Sequence, residues 1–126
     1  MVKRIFFILF ALTLFCSCQK ANKNGDLDGF WKLLQIEDFA TGTITETRNV
    51  DRFWSVQLDL LVVSGGGKGR FQHVGDSLFV QMIHVPTMPK EMGLYNPLDE
   101  HFFVEHLSRK RMILRSRDVE LTFTKF

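Results

Sequence analysis

The chain has 126 residues, of which 45% are hydrophobic and 24% are charged, a composition typical of one globular domain rather than of a disordered chain. Sixteen basic residues oppose 14 acidic ones, and two of the basic residues, Lys3 and Arg4, belong to the N-terminal segment. The rest of the chain is balanced in charge, so net charge indicates no nucleic-acid partner.

Residues 1–17 have the layout of a secretory signal peptide. A basic start at Lys3 and Arg4 precedes an apolar run from Ile5 to Phe15, and the small Ser17 follows. The apolar run is well short of the roughly 20 residues that a membrane-spanning helix needs. We therefore expect a cleaved signal peptide rather than a retained transmembrane anchor.

The end of this segment bears on how the signal is processed. Phe15-Cys16-Ser17-Cys18 resembles the lipobox of bacterial lipoproteins, which implies cleavage after Ser17 and acylation of Cys18. The alternative is an ordinary signal peptide that is cut nearby. Gln19 is compatible with onward transport, so the resemblance implies a lipid-anchored protein of the outer membrane, on its periplasmic or its outer face. Cys16 and Cys18 are the only cysteines, so the folded part has no disulfide and no thiolate nucleophile.

The chain after the signal divides into a lead-in and one β-rich domain. Residues 18–28 are mostly polar and predict a flexible tether behind the lipidated cysteine. Residues 29–126 contain short apolar or alternating runs that are separated by turn sequences at regular spacing. These runs predict eight strands, near 30–38, 43–48, 53–63, 69–74, 77–84, 101–107, 111–116 and 119–125. Eight short antiparallel strands suit an all-β up-and-down barrel, which has no free edges.

Alternation within three strands predicts which side chains face the interior. The clearest pattern buries one face of the 53–63 strand, with every second position taken by Trp54, Val56, Leu58, Leu60 and Val62. The closing strand alternates polar residues with Val119, Leu121 and Phe123. The 77–84 strand has apolar residues at odd and even positions, which predicts that it is covered on both faces.

One long connection stands out between the fifth and sixth predicted strands. All three prolines of the chain lie within residues 85–98, and proline cannot donate a hydrogen bond to a strand neighbour. The same segment carries the apolar side chains of Met88, Met92 and Tyr95. Two interpretations remain open, a lid over the mouth of the barrel and an irregular crossover.

The start of the first strand carries a family resemblance. Gly29-Phe30-Trp31 resembles the Gly-x-Trp signature of lipocalins, and with the export signal and the C-terminal strands the chain is similar to the small lipocalin-like lipoproteins of Bacteroidetes. This resemblance implies an eight-stranded lipocalin-like barrel in which Gly29 and Trp31 are structural. It also implies that a basic residue near the C-terminus packs across Trp31, and Arg111, Arg115 and Lys125 are candidates.

Few residues indicate chemistry. Spacing and strand alternation bring no pair of ligands together, so no metal site is predicted from His73, His84, His101 and His106. The glycines at 65–69 lack the full phosphate-loop pattern and precede a strand, which favours a hairpin loop and indicates no cofactor. Asp99 and Glu100 have no base or nucleophile at a recognisable spacing, so we assign no catalytic residue and expect no enzyme.

The aromatic and other large side chains of the barrel indicate two possible functions. An eight-stranded barrel either holds one small ligand or is filled by its own side chains. In the first case a small apolar or amphipathic molecule binds in a cavity, for which the candidates are Trp54, Phe71, Phe79, Met82, Tyr95 and Phe102. In the second case the loops bind another envelope protein or a glycan. In both cases acyl chains on Cys18 hold the protein on the membrane.

Overall fold

Nine antiparallel strands and two short 3-10 turns make up the computed structural model, which describes residues 24–126. The 3-10 turns are Gly25–Leu27 and Pro89–Met92. The strands are β1 Gly29–Asp38, β2 Ile44–Glu46, β3 Phe53–Gln57, β4 Leu60–Val63, β5 Gly67–Val74, β6 Ser77–His84, β7 Glu100–Leu107, β8 Arg111–Arg115 and β9 Val119–Lys125. The predicted signal peptide and Cys18 lie outside the described residues. No helix within 24–126 is long and apolar enough to cross a membrane.

The strands form one sheet that closes on itself. Each strand from β3 to β9 pairs with the next, and the ring is completed because β1 pairs with β3 through residues 29–32 and with β9 through residues 31–38. The short β2 pairs only with residues 35–37 of β1, beside the ring. Eight strands therefore form the closed barrel, and closure removes the free edges. This number agrees with the prediction, although β2 lies outside the ring and the predicted 53–63 strand provides two of the eight.

The predicted strand 53–63 is wrong, because it is a hairpin of β3 and β4. Gln57 pairs with Leu60 across a two-residue turn in which Leu58 has a φ of 57°, a left-handed conformation that is uncommon for leucine. The turn reverses the chain and shifts the alternation by one position. The side chains of Leu58, Leu60 and Val62 are consequently exposed, and Leu61 and Val63 are buried in their place.

Two further expectations about strands are corrected. The run 43–48 contributes only the three residues of β2, all exposed. The outer face of β6 is uncovered, since Phe79 and Ile83 are exposed, although β6 was expected to be buried on both faces. No element of the described chain packs over that face, so the apolar outer side chains of β6 meet solvent.

The residues at the start of β1 close one end of the barrel. Leu27 is fully buried, and its carbonyl oxygen accepts a hydrogen bond of 2.8 Å from Nε1 of the buried Trp31. Residues 24–28 therefore belong to the barrel rather than to a tether. Among the three basic candidates it is Lys125 that packs on Trp31, with Nζ 4.7 Å from the ring centroid, and Nζ also donates to the carbonyl oxygen of Asp26 at 2.7 Å.

Gly29 allows this arrangement. Its φ of 140° is one that side-chain-bearing residues rarely adopt, and a Cβ at this position would lie 2.9 Å from Cε of Lys125. The Gly-x-Trp motif therefore has a direct physical role here. The glycine makes room for the lysine, and the lysine covers the tryptophan.

Candidate functional site

The interior of the barrel is filled by its own side chains. The ring of Trp54 lies 4.9 Å from that of Phe123 and 5.8 Å from that of Phe102, centroid to centroid, and all three are buried. The space inside the barrel between Leu27 and Met112 measures about 10 Å³. A single water molecule needs about 10–15 Å³, so that space is too small for a ligand.

The six predicted cavity residues have different surroundings. Four are packed in the core, namely Trp54, Phe71, Met82 and Phe102. Phe79 lies on the outer face of the barrel, where it stacks on His101 at 4.5 Å, and so it does not line the interior. Tyr95 lies at the rim of the end opposite Leu27. These residues therefore do not form one cavity.

The long connection between β6 and β7 closes that second end, and we call residues 85–99 the cap. Leu94 is 0% exposed, and Nε1 of Trp54 donates a hydrogen bond of 2.9 Å to the carbonyl oxygen of Met92. Gly93 has a φ of 85°, and a Cβ there would lie 2.6 Å from the side chain of Leu121. Of the two interpretations left open, a lid and an irregular crossover, neither anticipated a connection whose middle is a buried part of the core.

Two concave surfaces flank Tyr95 at the capped end. The larger, which we call the cap cleft, has a volume of about 730 Å³ and is formed by residues 95–101 of the cap and β7 and residues 116–118 of the β8–β9 turn. The smaller has a volume of about 380 Å³ and lies between Tyr95, the β1–β2 hairpin and the 3-10 turn Pro89–Met92. Both are open to solvent at the surface of the barrel.

Hydrogen bonds fix the walls of the cap cleft. The backbone N–H of Asn96 donates to Oε2 of Glu100 at 2.7 Å, and its side-chain Nδ2 donates to Oδ2 of Asp118 at 3.0 Å. Glu100 is only 2% exposed, and burial raises the pKa of its carboxyl group. Asn96 thus links the carboxyl groups of Glu100 and Asp118 in the wall of the cleft.

Tyr95 links the two concave surfaces through a short hydrogen bond. Its hydroxyl donates to Oδ2 of Asp38 at 2.6 Å, and this bond lowers the pKa of the Asp38 carboxyl group. Burial, together with the same bond, raises the pKa of Tyr95 to about 12. Nζ of Lys90 lies 5.2 Å from the tyrosine ring. The phenol therefore stays protonated at any ordinary pH and acts as a positioned donor to Asp38.

The cleft does not assemble a nucleophile with a base. The hydroxyl oxygen of Ser116 accepts hydrogen bonds from the backbone N–H groups of Asp118 and Val119, both at 3.1 Å, and so stabilises the β8–β9 turn. Nε2 of His101 pairs with the hydroxyl of Ser77 at 3.2 Å, on the outer face of the barrel. Within residues 24–126, no three His, Cys, Asp or Glu side chains are grouped so as to hold a metal ion.

The titration of Tyr95 provides a direct test of the cap geometry. It is the only tyrosine in the chain, so the phenolate absorbance near 295 nm reports this residue alone. We expect a midpoint near pH 12, and a shift towards the ordinary value of 10.0 in Asp38→Asn, which removes the negative acceptor. The pKa of Tyr95 is higher in the folded protein than in the unfolded chain. The tyrosine therefore stabilises the fold fully below pH 10, and this stabilisation is lost as the pH rises towards 12.

Glu105→Gln, a change on the outside of β7, is the control and leaves the midpoint unchanged. A midpoint near 10 in the unmodified protein would contradict the hydrogen bond to Asp38.

Sequence reasoning missed most of the cleft. Asn96, Asp118 and Asp38 lie in or beside loops, where polar residues are ordinary, and only folding brings them together. A signal did exist for Glu100, because the alternation of β7 places it on the same inward face as Phe102 and Val104. A charged residue on a buried face is unusual and marks a position with specific hydrogen-bond partners.

Comparison with solved structures supports the barrel. A lipocalin-like protein from Bacteroides uniformis ATCC 8492 superimposes with a TM-score of 0.65 and 23% identity, over 81% of this chain and 100% of that chain. An uncharacterized protein from Bacteroides eggerthii DSM 20697 gives a TM-score of 0.60 and 17% identity, over 79% of this chain and 98% of that chain. At these identities the similarity concerns the fold.

Comparison with families is more specific. No functionally curated protein matches the chain. The model of the lipocalin-like domain, however, matches residues 13–126, which includes every strand of the barrel. The chain therefore belongs to the family of lipocalin-like domains.

Proposed function

We propose that this protein is a lipid-anchored, non-catalytic binding module of the cell envelope that recognises a polar partner of the glycan class at the cap cleft. The observation that carries the proposal is the filled barrel, in which an internal space of about 10 Å³ leaves no site for a lipocalin-type ligand. Binding then takes place on the outside of the barrel, through its loops.

The alternative, a small apolar or amphipathic molecule inside the barrel, has less support. A drug-sized ligand occupies a cavity of about 300–1,000 Å³. To create one here, Leu94 would have to leave the core and Trp54 would lose its hydrogen bond to Met92. Both changes cost free energy, and the binding of an apolar ligand would have to offset that cost.

The chemistry of the cap cleft favours a hydroxyl-bearing partner over an apolar one. Its walls carry the carboxyl groups of Asp99 and Asp118, the amide of Asn96 and one cation, Arg117, whereas the carboxyl group of Glu100 is buried behind them. Carboxylates accept hydrogen bonds from sugar hydroxyls, an amide both accepts and donates them, and the excess of acidic groups disfavours an anionic ligand. Another envelope protein with a polar or basic loop remains the competing occupant.

The anchor is proposed on Cys18. Each buried methylene group of an acyl chain contributes about 0.8 kcal/mol, so several chains on one cysteine hold a protein stably on a membrane. Gln19, directly after the cysteine, is compatible with transport to the outer membrane. The membrane is therefore a partner through lipid, and the balanced charge of the chain without its signal peptide supports no role for nucleic acid.

Native mass spectrometry of the protein purified from its own host tests both parts. We expect the mass of residues 18–126 plus covalent acyl chains, with no non-covalent apolar adduct, and a stoichiometric adduct when fragments of the host's surface glycans are added. Asp99→Asn weakens the glycan adduct, and Gln72→Ala, on the outside of β5, does not.

The control for the anchor is Cys18→Ser, which must abolish the acyl mass. A stoichiometric apolar adduct that is lost on denaturation would overturn the filled-barrel proposal. An acyl mass that persisted in Cys18→Ser would overturn the anchor.

A further inference from the structure

Besides the outer side chains of β6, a second set of apolar side chains meets solvent, on the side of the barrel formed by β1, β3 and β4. On the outer faces of β1, β3, β4 and the end of β9, the exposed or half-exposed residues are Phe30, Phe53, Leu60, Val62 and Phe126. The ring of Phe30 lies 4.5 Å from that of Phe53 and 5.2 Å from that of Phe126. We call this set the apolar face. The strands β1, β3 and β4 that carry most of it are neighbours in the barrel.

Three cations lie among these apolar side chains. Strand pairing puts Lys32 opposite Phe53, Lys68 opposite Val62, and Arg70 opposite Leu60. None of these cations takes part in an ion pair between described residues. Directly opposed side chains on one face of a sheet lie within about 5.5 Å at Cβ, so each cation is a neighbour of an exposed apolar group. This surface is both apolar and cationic.

The apolar face adjoins the point where the chain enters the barrel. Phe30 follows Gly29, the first residue of β1, and its carbonyl oxygen accepts the backbone N–H of Phe126 at 3.0 Å. Because residues 24–28 pack on the barrel, the linking segment is the one from Cys18 to Asn24, which would span at most about 22 Å if fully extended. If Cys18 carries the lipid, as proposed above, the apolar face is held close to the bilayer surface.

From these observations we infer that the apolar face lies on the anionic surface of the membrane in which the protein is anchored, with Phe30, Phe126 and Val62 at the interface and Lys32, Lys68 and Arg70 on the headgroups. Apolar groups flanked by basic ones are the chemistry that anionic bilayers bind. This inference rests on the proposed lipid anchor. It places the cap cleft at the side or the far end of the barrel, where a partner has access.

A second copy of the chain fits this surface less well. In a symmetric dimer the same face meets itself, which would place the cations Lys32, Lys68 and Arg70 against a surface that carries the same three cations. Like charges at a desolvated interface oppose association. An acidic protein partner would satisfy the charges, yet nothing ties such a partner to the entry point of the chain.

Fluorescent labelling of the acylated protein in vesicles tests the inference. The acylated protein has no free cysteine, so Val62→Cys introduces one labelling site on the apolar face, and Phe103→Cys, 50% exposed on β7 across the barrel, is the matched control. An environment-sensitive dye is attached to each, and the proteins are reconstituted into vesicles of phosphatidylcholine alone or with one-third phosphatidylglycerol.

The expected result is a blue-shifted dye at position 62, quenched by spin-labelled lipid, in the anionic vesicles only, and a water-exposed dye at position 103 in both. Replacing Lys32, Lys68 and Arg70 by Gln is expected to weaken the binding of the apolar face to anionic vesicles about a hundredfold. The reason is that each basic residue near an anionic surface strengthens binding about fivefold.

The other outcomes separate the two proposals. A protein that floats with both vesicle types but keeps its position-62 dye in water overturns the inference and leaves the anchor standing. A protein that floats only with anionic vesicles supports the face and contradicts the anchor. A position-62 dye that is shielded in host membranes but not in protein-free anionic vesicles indicates an acidic protein partner and overturns the membrane assignment.

Discussion

Trp31→Ala is expected to lower the free energy of unfolding by about 3–5 kcal/mol, as for other fully buried tryptophans. The side chain is 0% exposed, and its truncation removes a hydrogen bond, a cation–π contact and core packing. The carbonyl oxygen of Leu27 loses its hydrogen bond, Lys125 loses the ring beneath it, and the core loses an indole. Urea unfolding followed by circular dichroism measures the loss, and Trp54, the other tryptophan, provides a fluorescence signal in the variant.

Two further variants separate the contributions. Lys125→Met removes the cation–π contact and the bond to the Asp26 carbonyl but keeps an apolar stem, and we expect a loss on the order of 1 kcal/mol. Phe103→Ala removes an exposed aromatic side chain on the outer face of β7 and costs under about 1 kcal/mol. A loss in Trp31→Ala no larger than that in Phe103→Ala would contradict the role of Trp31 as the closure of the barrel end.

Leu94→Ala tests whether the cap is part of the core. We expect the free energy of unfolding to fall by about 2–5 kcal/mol, because the side chain is fully buried and the bonds around Met92 and Gly93 hold the backbone in place. Leu98→Ala is the matched control, since Leu98 lies in the same segment but is 66% exposed, and its truncation should change stability by no more than about 0.5 kcal/mol. Urea unfolding of both variants provides the comparison.

The same experiment discriminates between the two functions. A lid that opens for a ligand contributes little to global stability, so equal and small effects of the two substitutions would point to a movable cap and to binding in the interior. A large effect confined to Leu94 supports a permanently closed barrel. Hydrogen exchange of the Gly93 amide, which donates to the Lys90 carbonyl, reports the same difference locally.

Several features were predictable because they depend on local patterns. Alternation in the closing strand identified Val119, Leu121 and Phe123 as inward residues, and all three are buried. Turn sequences separated most strands correctly, and eight strands close the barrel. Gly29 and Trp31 marked the start of β1 through their resemblance to the Gly-x-Trp signature, which lies within three consecutive residues.

The features that sequence analysis missed depend on contacts between distant residues. Nothing local in Gln57-Leu58-Asp59-Leu60 marks a tight turn, and a leucine at positive φ is tolerated there only because the β3–β4 pairing and the bond from Asn24 to the Leu58 carbonyl fix it. Once that turn was missed, the inward assignments that followed it within the predicted 53–63 strand were reversed, because alternation has a period of two.

The sequence by itself determined the barrel, its closing motif and the residues that suggest export and a lipid anchor, because these depend on short-range periodicity and on motifs read within a few residues. Only the tertiary structure decided which basic residue covers Trp31, whether the interior is open, and where the polar cleft lies. The contacts that decide these features join residues that are far apart in the chain, and only the closure of the sheet into a barrel brings them together. The pairs are Lys125 with Asp26, Trp54 with Met92, and Asn96 with Asp118.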